Sequence, residues 1–236
     1  MVFTMEVSHK EEQQFPYLSD KKDNTSPALV QIYGPGGSGK STLTLQLVSG
    51  ILNQNPGKAL WIDTENKFSA RRLSNLSNSL DMDSMFLSQP KSLAEQDTII
   101  SGFSNNRLIT EDVLGISAIV LDTTSNYIRN ELKTNNFHNY SQCIQDFYET
   151  QILPLLLLQK KVGCVLILVH QSTYKPDIGT LPFMYNVFQK IPSAWFELII
   201  DKENNCKYLD YRYQDERIKK VYKLGTGGVL KFFSQN

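Results

Sequence analysis

Short apolar runs alternate with amphipathic segments along most of the chain. A nearly continuous apolar run indicates a strand covered on both faces, as in a parallel sheet. Such runs are ALVQIY at Ala28–Tyr33, KALWIDT at Lys58–Thr64, ISAIVLD at Ile116–Asp122 and GCVLILV at Gly163–Val169, with a shorter one at Met85–Leu87. Helical spacing of apolar residues predicts helices at Ser41–Leu52, Phe68–Leu80, Leu93–Phe103 and Tyr140–Leu158. This alternation predicts an α/β fold with a mostly parallel twisted sheet and helices on both faces.

The C-terminal part of the chain has a different pattern. After a predicted loop at Ser172–Pro192, three β-rich stretches follow at Trp195–Asp201, Lys207–Tyr213 and Lys220–Phe233. We expect these stretches to add antiparallel strands at one edge of the sheet. Residues 1–27 are polar and are expected to form a partly ordered lead-in. Residues 28–236 are then expected to form a single domain.

Composition is typical of an ordinary soluble globular protein. Hydrophobic residues make up 41% and charged residues 20% of the 236 residues, which argues against wholesale disorder. Lys plus Arg and Asp plus Glu both number 24, so the formal net charge is zero. Because no overall positive field attracts the chain to nucleic acid, such a contact has to come from a local patch or from a partner protein.

The cysteines and the apolar segments argue against several other classes of protein. Cys143, Cys164 and Cys206 are scattered, with no histidine cluster nearby, so neither a zinc site nor a disulfide framework is expected. The most apolar stretch, Ile152–Val169, is interrupted by a proline and by polar residues, which argues against a membrane span. The N-terminus lacks a signal-peptide pattern. We therefore expect a soluble intracellular protein without a membrane partner.

The segment GPGGSGKST, between the first predicted strand and the first predicted helix, carries the strongest chemical signal. It fits the pattern G-x-x-x-x-G-K-S, in which backbone N–H groups of a glycine-rich loop and the N-terminus of a helix surround phosphates. Lys40 would reach the β and γ phosphates of a nucleotide, and the hydroxyl group of Ser41 would ligate Mg²⁺. The predicted nucleotide-binding residues are Gly34, Pro35, Gly36, Gly37, Ser38, Gly39, Lys40, Ser41 and Thr42.

Polar side chains at the ends of three predicted strands complete the candidate site. Asp122 ends the most apolar strand and can hold the magnesium shell, although an aspartate here can also cap a helix. Glu65 can orient or deprotonate an attacking water, whereas either Asp63 or Glu65 can instead cap the following helix. Gln171 can sense a γ-phosphate, or it is simply a polar residue leaving a strand. Glu65, Lys40 and Gln171 are the candidate catalytic residues.

Together these motifs resemble the RecA/RadA recombinase family. The segments GPGGSGKST, WIDTENKFSARRL, IVLDTTSNYIR and LILVHQ occur in the family's order, and the resemblance covers residues 28–233. It implies a RecA-like P-loop NTPase core that binds ATP and Mg²⁺. It also implies that Glu65 is the catalytic glutamate, Asp122 the Walker B aspartate and Gln171 the phosphate-sensing glutamine.

Within this family, the chain is similar to small paralogues that lack an N-terminal helix-hairpin-helix domain. The stretch QIYGPGGSGK…WIDTENKFSARRL is similar to archaeal RadB, and FQKIPSAWFELIID is similar to the eukaryotic D-type paralogue. The polar background, rich in Asn, Ser and Lys, favours the eukaryotic paralogue. That resemblance implies a location in the nucleus, whereas an archaeal protein would be cytoplasmic.

Several positions depart from the family pattern. Asn66 and Lys67 follow D-T-E where the family usually has glycine, and Val169–Gln171 reads V-H-Q in place of T-N-Q. We interpret Lys67, Arg71 and Arg72 as a solvated helix face or as partners of neighbouring acids. The sequence contains no Phe-x-x-Ala self-assembly motif. This favours a hetero-oligomer with other recombinase-family paralogues over a self-polymerising filament.

The predicted loop at Ser172–Pro192 matches a recombinase DNA-binding loop in position only. Its lysines and aromatic residues can contact phosphates and stack on the bases of single-stranded DNA. The same residues can instead cover the sheet or dock a partner protein. The candidate DNA-binding residues are Tyr174, Lys175, Phe183, Tyr185 and Lys190 of this loop, together with Arg129 in the loop after Asp122.

The sequence therefore predicts an ATP-binding recombinase paralogue, an accessory subunit in homologous recombination and DNA repair that hydrolyses ATP slowly if at all. The alternative is a stand-alone P-loop ATPase or a small-molecule kinase unrelated to DNA. A kinase should carry arginines on a lid over its acceptor, but after the predicted loop begins the first arginine is Arg212. A third hypothesis is a structural subunit with a vestigial nucleotide site, against which the intact GPGGSGKST argues.

Overall fold

The computed structural model describes residues 11–12, 27–72, 82–104, 115–134, 139–225 and 230–233. Its strands are β1 Glu11–Glu12, β2 Leu29–Tyr33, β3 Lys58–Asp63, β4 Met85–Ser88, β5 Ile116–Asp122, β6 Val165–Val169, β7 Ser172–Lys175, β8 Gly179–Pro182, β9 Ala194–Asp201, β10 Cys206–Tyr213, β11 Glu216–Leu224 and β12 Leu230–Phe233. Its helices are α1 Lys40–Gln54, α2 Leu93–Ser104, α3 Ile128–Thr134, α4 Tyr140–Phe147, α5 Leu153–Val162 and α6 Tyr185–Phe188. A 3₁₀ turn lies at Met82–Ser84 and a π-helical segment at Tyr148–Ile152.

The main sheet has the strand order β1-β12-β11-β10-β9-β2-β6-β5-β3-β4. The strands from β9 to β4 pair in parallel, and those from β9 to β1 pair in antiparallel fashion. The prediction of a mostly parallel sheet with antiparallel strands at its C-terminal edge is confirmed. In detail, the first of the three β-rich stretches, β9, is itself parallel to β2.

Helices cover both faces of the parallel strands because alternate residues of each strand point to opposite sides. In β5, Val120 belongs to the apolar cluster that contains Leu43 and Val48 of α1. Its neighbour Ile119 belongs to a second cluster, which contains Leu155 of α5. The central strands are therefore buried on both sides, as their continuous apolar sequences predict.

Three predicted segments differ in detail from the structure. The predicted long helix at Tyr140–Leu158 is α4, the π-helical segment and α5 in succession. The predicted loop at Ser172–Pro192 is wrong, because this segment contains the antiparallel hairpin β7–β8 and the short helix α6. Of the predicted helix at Phe68–Leu80, residues 70–72 are helical, and 73–80 lie outside the described residues.

Of the predicted N-terminal lead-in, the structure describes residues 11, 12 and 27. Glu11 and Glu12 pair with Phe233 and Phe232 of β12, at the antiparallel edge of the sheet. Residues 1–10 and 13–26 lie outside the described residues, so the division at residue 27 stays a prediction. None of the helices in the described part of the chain is long and apolar enough to span a bilayer.

Candidate functional site

The carboxyl ends of four neighbouring strands, β2, β6, β5 and β3, meet at one edge of the sheet. Strand β3 is not adjacent to β2, because β6 and β5 lie between them. The segments after these strands line a cavity of about 590 Å³, a size typical of small-molecule sites. Its lining residues are Gly34, Gly36, Gly37, Gly39, Lys40, Ser41, Thr42, Glu65, Lys67, Arg72, Asp122, Thr123, Arg129, Gln171, Ser172 and Leu224.

The glycine-rich loop depends on glycine at two positions for different reasons. Gly34 has φ of 150°, and a Cβ atom there would lie 2.4 Å from the carbonyl oxygen of Leu198. Gly39, immediately before α1, has φ of 101°, in the left-handed region that other residues rarely adopt. The loop can therefore turn from β2 into α1 and direct its N–H groups towards the cavity.

Lys40 begins α1 and folds back over the loop. Its Nζ atom donates hydrogen bonds to the carbonyl oxygens of Gly34 (2.9 Å) and Pro35 (3.1 Å). Burial lowers the pKa of Lys40, and the carboxylates of Asp122 and Glu65 partly oppose this effect. An ammonium group in such a desolvated position interacts strongly with an anion in the cavity.

Ser41 and Asp122, the two predicted magnesium ligands, are in contact. The side chains of Ser41 and Asp122 are joined by a hydrogen bond, and Asp122 is only 7% exposed. Burial raises the pKa of Asp122 to about 6; the Ser41 hydrogen bond lowers it, while Asp63 and Glu65 raise it further. Hydroxyl and carboxylate oxygens are donors that Mg²⁺ accepts, so this pair fits the metal that the loop implies.

Glu65 and Gln171 meet although their strands, β3 and β6, are separated by β5. The Nε2 atom of Gln171 donates a hydrogen bond to Oε1 of Glu65 at 2.8 Å. The other carboxylate oxygen, Oε2, accepts a hydrogen bond from Nζ of Lys67 at 2.5 Å. Burial raises the pKa of Glu65, but hydrogen bonds from Lys67 and Gln171 outweigh it, so the net effect is a lowered pKa.

The two acidic residues after Ile62 have separate roles in the structure. The carboxylate of Asp63 is buried and accepts hydrogen bonds from the backbone N–H groups of Glu65 and Phe68 and from Nε2 of Gln89. Asp63 therefore organises the turn after β3, whereas the side chain of Glu65 lines the cavity. The alternative that Glu65 is the helix cap does not fit this geometry.

Arg129, a candidate DNA-binding residue, lines the cavity. Its Nη1 atom donates a hydrogen bond to Oε1 of Gln171 at 2.9 Å, and its guanidinium carbon lies 5.0 Å from the ring centre of Phe183. Phe183 is half-buried, and the ring of Tyr185 packs edge-on against Trp195. These three predicted DNA-binding side chains are thus engaged within the protein.

The remaining predicted DNA-binding residues lie at the surface. Tyr174, at the end of the β7–β8 hairpin, is 71% exposed, and Lys175 beside it is also exposed. Lys190 is exposed after α6. The structure therefore divides the six candidates into three surface side chains and three that make internal contacts, and DNA binding stays a prediction for all of them.

His170 lies behind the cavity and is completely buried. Its Nδ1 atom is 2.9 Å from Oγ1 of Thr124, and its Nε2 atom is 2.9 Å from Oε1 of Gln31. Burial lowers its pKa to about 3, so the ring is neutral at ordinary pH. His170 is therefore a neutral hydrogen-bonding partner of Thr124 and Gln31 within the core.

Sequence patterns did not identify several lining residues. Thr123, Ser172 and Leu224 carry no motif of their own, although Thr123 and Ser172 directly follow predicted site residues. The hydroxyl group of Ser172 donates a hydrogen bond to the carbonyl oxygen of Gly34 at 3.0 Å and so ties the β6 end to the loop. Lys67 also lines the cavity. Its departure from the family pattern was the one sequence signal that pointed to this position.

Comparison with known proteins shows what this chain is similar to. Residues 9–176 match the family described as "AAA domain". A DNA repair and recombination protein RadB of Pyrococcus furiosus is 28% identical over 159 residues, which cover 65% of this chain and 63% of that protein. The corresponding protein of Thermococcus sibiricus is 33% identical over 149 residues, which cover 61% of this chain and 58% of that protein. The chain thus matches less than two thirds of the length of these relatives.

A solved structure supports the assignment of the fold. The chain superimposes on a crystal structure of the RadB recombinase with a TM-score of 0.64, covering 86% of this chain and 90% of the other at 19% identity. At this identity the likeness concerns the fold, which is RecA-like.

Proposed function

Because this chain belongs to the AAA domain family, we propose that it binds ATP and Mg²⁺ in the cavity at the strand ends and acts in DNA recombination and repair as an accessory, recombinase-like subunit. The observation that carries the proposal is the convergence on one cavity of a glycine-rich loop, a buried lysine, a Ser41–Asp122 pair and a Glu65–Gln171 pair. The similarity to RadB proteins, whose names state DNA repair and recombination, supports the choice of process.

The residues of the loop would hold the triphosphate. Backbone N–H groups of Gly36, Gly37 and Gly39 offer donors to phosphate oxygens at the start of α1, where the helix dipole favours an anion. Lys40 would exchange its two loop carbonyl acceptors for phosphate oxygens, a stronger charge-assisted interaction. The cavity thus matches an extended polyanion better than a neutral ligand.

Ser41 and Asp122 would supply the protein ligands of Mg²⁺. Within the described residues, no three His, Cys, Asp or Glu side chains are placed to hold a metal ion together. This suits Mg²⁺, which keeps several waters and is usually held by one or two side chains together with substrate phosphates. When bound, the ion would neutralise part of the phosphate charge.

Glu65 would be the group that orients or deprotonates water, but its contacts make it a weak base. Its Oε1 atom accepts a hydrogen bond from Gln171, which is one of the contacts that lower its pKa. A carboxylate with a low pKa takes up a proton less readily. Slow hydrolysis is therefore part of the proposal, with ATP acting mainly as a ligand that biases conformation and assembly.

DNA and partner proteins complete the proposal. The exposed hairpin residues Tyr174 and Lys175 offer a stacking surface and a positive charge for single-stranded DNA. With a formal net charge of zero, the chain has little long-range attraction for DNA. We therefore propose that DNA binding is strongest within a hetero-oligomer of recombinase-family paralogues, in which a partner adds positive surface.

The direct test is nucleotide binding by the purified protein and by Lys40→Ala, followed with a fluorescent ATP analogue in the presence of Mg²⁺. We expect the wild-type protein to bind and the variant to lose at least about 100-fold in affinity, because a buried charge-assisted contact is removed. Lys160→Ala is the matched control, since Lys160 is exposed at the end of α5 that leads into β6, at the opposite end of the strands from the cavity. Equal ATP affinity of wild type and Lys40→Ala would reject the site.

The recombination role needs a separate measurement. Affinity purification from the source cell followed by mass spectrometry should recover recombinase-family subunits. Recovery of unrelated metabolic enzymes, together with phosphoryl transfer to a small-molecule acceptor, would favour a kinase instead.

A further inference from the structure

The turn after β3 directs a lysine back over the cavity. Asn66 has φ of 56°, so the chain reverses between Glu65 and Lys67. Left-handed backbone of this kind is favourable for glycine and tolerated by asparagine. Asn66 thus permits a tight turn here, and the next residue brings a positive charge. The ammonium group of Lys67 lies 2.5 Å from Oε2 of Glu65, and both side chains line the cavity.

We propose that Lys67 binds the terminal phosphate of the nucleotide from within the same chain, leaving Glu65 when a triphosphate enters and returning to it when only a diphosphate is bound. This inference rests on the proposed function and deepens it. It assigns a residue for discriminating ATP from ADP to a position that the recombinase resemblance does not assign.

Lys67 lies on the solvent-facing side of the cavity. Its charge interacts with the carboxylates of Glu65, Asp122 and Asp63, and it also affects Lys40 at the start of α1. Lys40 and Lys67 therefore flank the same volume, one from the loop and one from the β3 turn. Arg72 also lines the cavity from the segment after β3. A triphosphate carries more negative charge than a diphosphate. Lys40, Lys67 and Arg72 offer the positive charge that balances it.

The ion pair between Lys67 and Glu65 can give way to a contact between Lys67 and a phosphate. The side chain of Lys67 is 71% exposed and that of Glu65 20% exposed. An ion pair with one solvated partner contributes little to stability, whereas a charge-assisted contact with phosphate is stronger. Glu65 has a second partner, Gln171, which keeps its carboxylate hydrogen-bonded when Lys67 leaves. The exchange therefore frees Oε2 of Glu65, while Oε1 keeps its hydrogen bond from Gln171.

The test compares the affinities for ATP and ADP, measured by isothermal titration with Mg²⁺ at low salt and without relying on turnover. The wild-type protein should bind ATP more tightly than ADP. Lys67→Met removes the charge and keeps a chain of similar length. It should reduce the ATP-to-ADP affinity ratio by about tenfold, the effect of one charge-assisted contact. Lys67→Arg should keep most of the preference, and Lys160→Met should leave both affinities unchanged.

A second variant moves the ratio in the opposite direction. Glu65→Gln removes the competing anion, so the affinity for ATP relative to ADP should rise. In a Lys67→Met background the same change should have a smaller effect, because the lysine it releases is gone; a double-mutant cycle measures this coupling.

The outcomes separate this inference from the proposed function. If wild type and Lys67→Met bind both nucleotides with the same affinity ratio, Lys67 does not contact the terminal phosphate, while the nucleotide site itself stands. If Lys67→Met and Glu65→Gln have additive effects on the ATP-to-ADP affinity ratio, Lys67 does not exchange between Glu65 and the phosphate. If the wild-type protein binds neither nucleotide, the proposed function fails and the inference fails with it.

Discussion

The hydroxyl group of Tyr222 donates a hydrogen bond of 2.7 Å to the backbone carbonyl oxygen of Ser38. Tyr222 lies on β11, in the antiparallel part of the sheet, and Ser38 lies in the glycine-rich loop. Both residues are buried, so this contact is shielded from water. The antiparallel extension of the sheet therefore supports the phosphate-binding loop directly, which gives it a part in the site as well as in the fold.

Tyr222→Phe should destabilise the protein and weaken nucleotide binding. The substitution leaves the buried carbonyl oxygen of Ser38 without this partner. A buried polar group without a hydrogen bond lowers the free energy of unfolding by about 1–3 kcal/mol. We expect the free energy of unfolding in urea to fall by that amount and the affinity for ATP to fall several-fold, because the loop is held less firmly. Tyr213→Phe on β10 is the matched control. Unchanged stability and affinity in Tyr222→Phe would show that the loop does not depend on β11.

His170 should make stability depend on pH. Burial lowers its pKa to about 3 in the folded protein, whereas a histidine in an unfolded chain has a pKa of about 6.5. Between these values the unfolded chain binds a proton that the folded chain does not. The contribution of His170 is therefore fully present above about pH 6.5 and is lost as pH falls towards about 3.

Urea unfolding at several pH values between 7 and 5 measures this effect. The free energy of unfolding should fall by up to about 1.4 kcal/mol per pH unit in the lower part of that range. His170→Asn, which cannot titrate but can still make hydrogen bonds, should show a flatter dependence. Equal slopes for the two proteins would mean that the ring accepts a proton without unfolding.

The sequence predicted the central strands well because the information is local. The run ISAIVLD is β5 residue for residue, and its alternate side chains enter the two apolar clusters. The glycine-rich loop was equally clear, since the sequence before it forms β2 and the sequence after it forms α1. In both cases a short segment is sufficient to specify the structure.

The segment at Ser172–Pro192 shows where local information fails. Strands β7 and β8 have four residues each, and neither has a long apolar run. They are stabilised by pairing with each other across a turn that ends at Gly179, whose φ is 91°. Such pairing depends on two segments at once, and a periodicity read along one segment does not reveal it.

The directions of side chains are the second property that the sequence did not predict. Arg129 was a DNA-binding candidate from its place in the loop after Asp122, and the sequence did not reveal that its side chain points from the start of α3 towards Gln171. Likewise, Asp63 and Glu65 are only two residues apart, and the pattern left open which of them stabilises the turn. The hydrogen bonds from the backbone to Asp63 answer that question only once the turn is seen in three dimensions.

Asp122→Asn should weaken the Mg²⁺ dependence of ATP binding more than ATP binding itself. Asparagine keeps the shape and can still accept a hydrogen bond from Ser41, but it lacks the charge that a divalent cation favours. We expect the increase in ATP affinity on adding Mg²⁺ to drop by about tenfold, as for the loss of one charge-assisted contact. Titrations with Mg²⁺ and with EDTA measure it, and Asp146→Asn on α4 is the control. Full retention of the Mg²⁺ effect would remove Asp122 from the metal site.

The β7–β8 hairpin should contribute to DNA binding through Tyr174 and Lys175. Stacking of a base on an exposed aromatic ring is worth about 1–3 kcal/mol, so Tyr174→Ala should weaken binding of a single-stranded oligonucleotide by about tenfold. Lys175→Ala should weaken binding of all sequences alike and reduce the salt dependence by about one unit of slope. Fluorescence anisotropy at several salt concentrations, with ATP and Mg²⁺ present, measures both quantities.

Tyr140→Ala is the control for that experiment, because Tyr140 is a tyrosine of α4 that is 41% exposed and lies away from the hairpin in the chain. It should bind the oligonucleotide like the wild-type protein. If Tyr174→Ala and Tyr140→Ala both bind with wild-type affinity, the hairpin is not a DNA-stacking surface. Its exposed Tyr174 and Ile178 would then be better explained as a protein-docking surface, because apolar side chains at a solvent-facing tip are buried most favourably against another apolar surface.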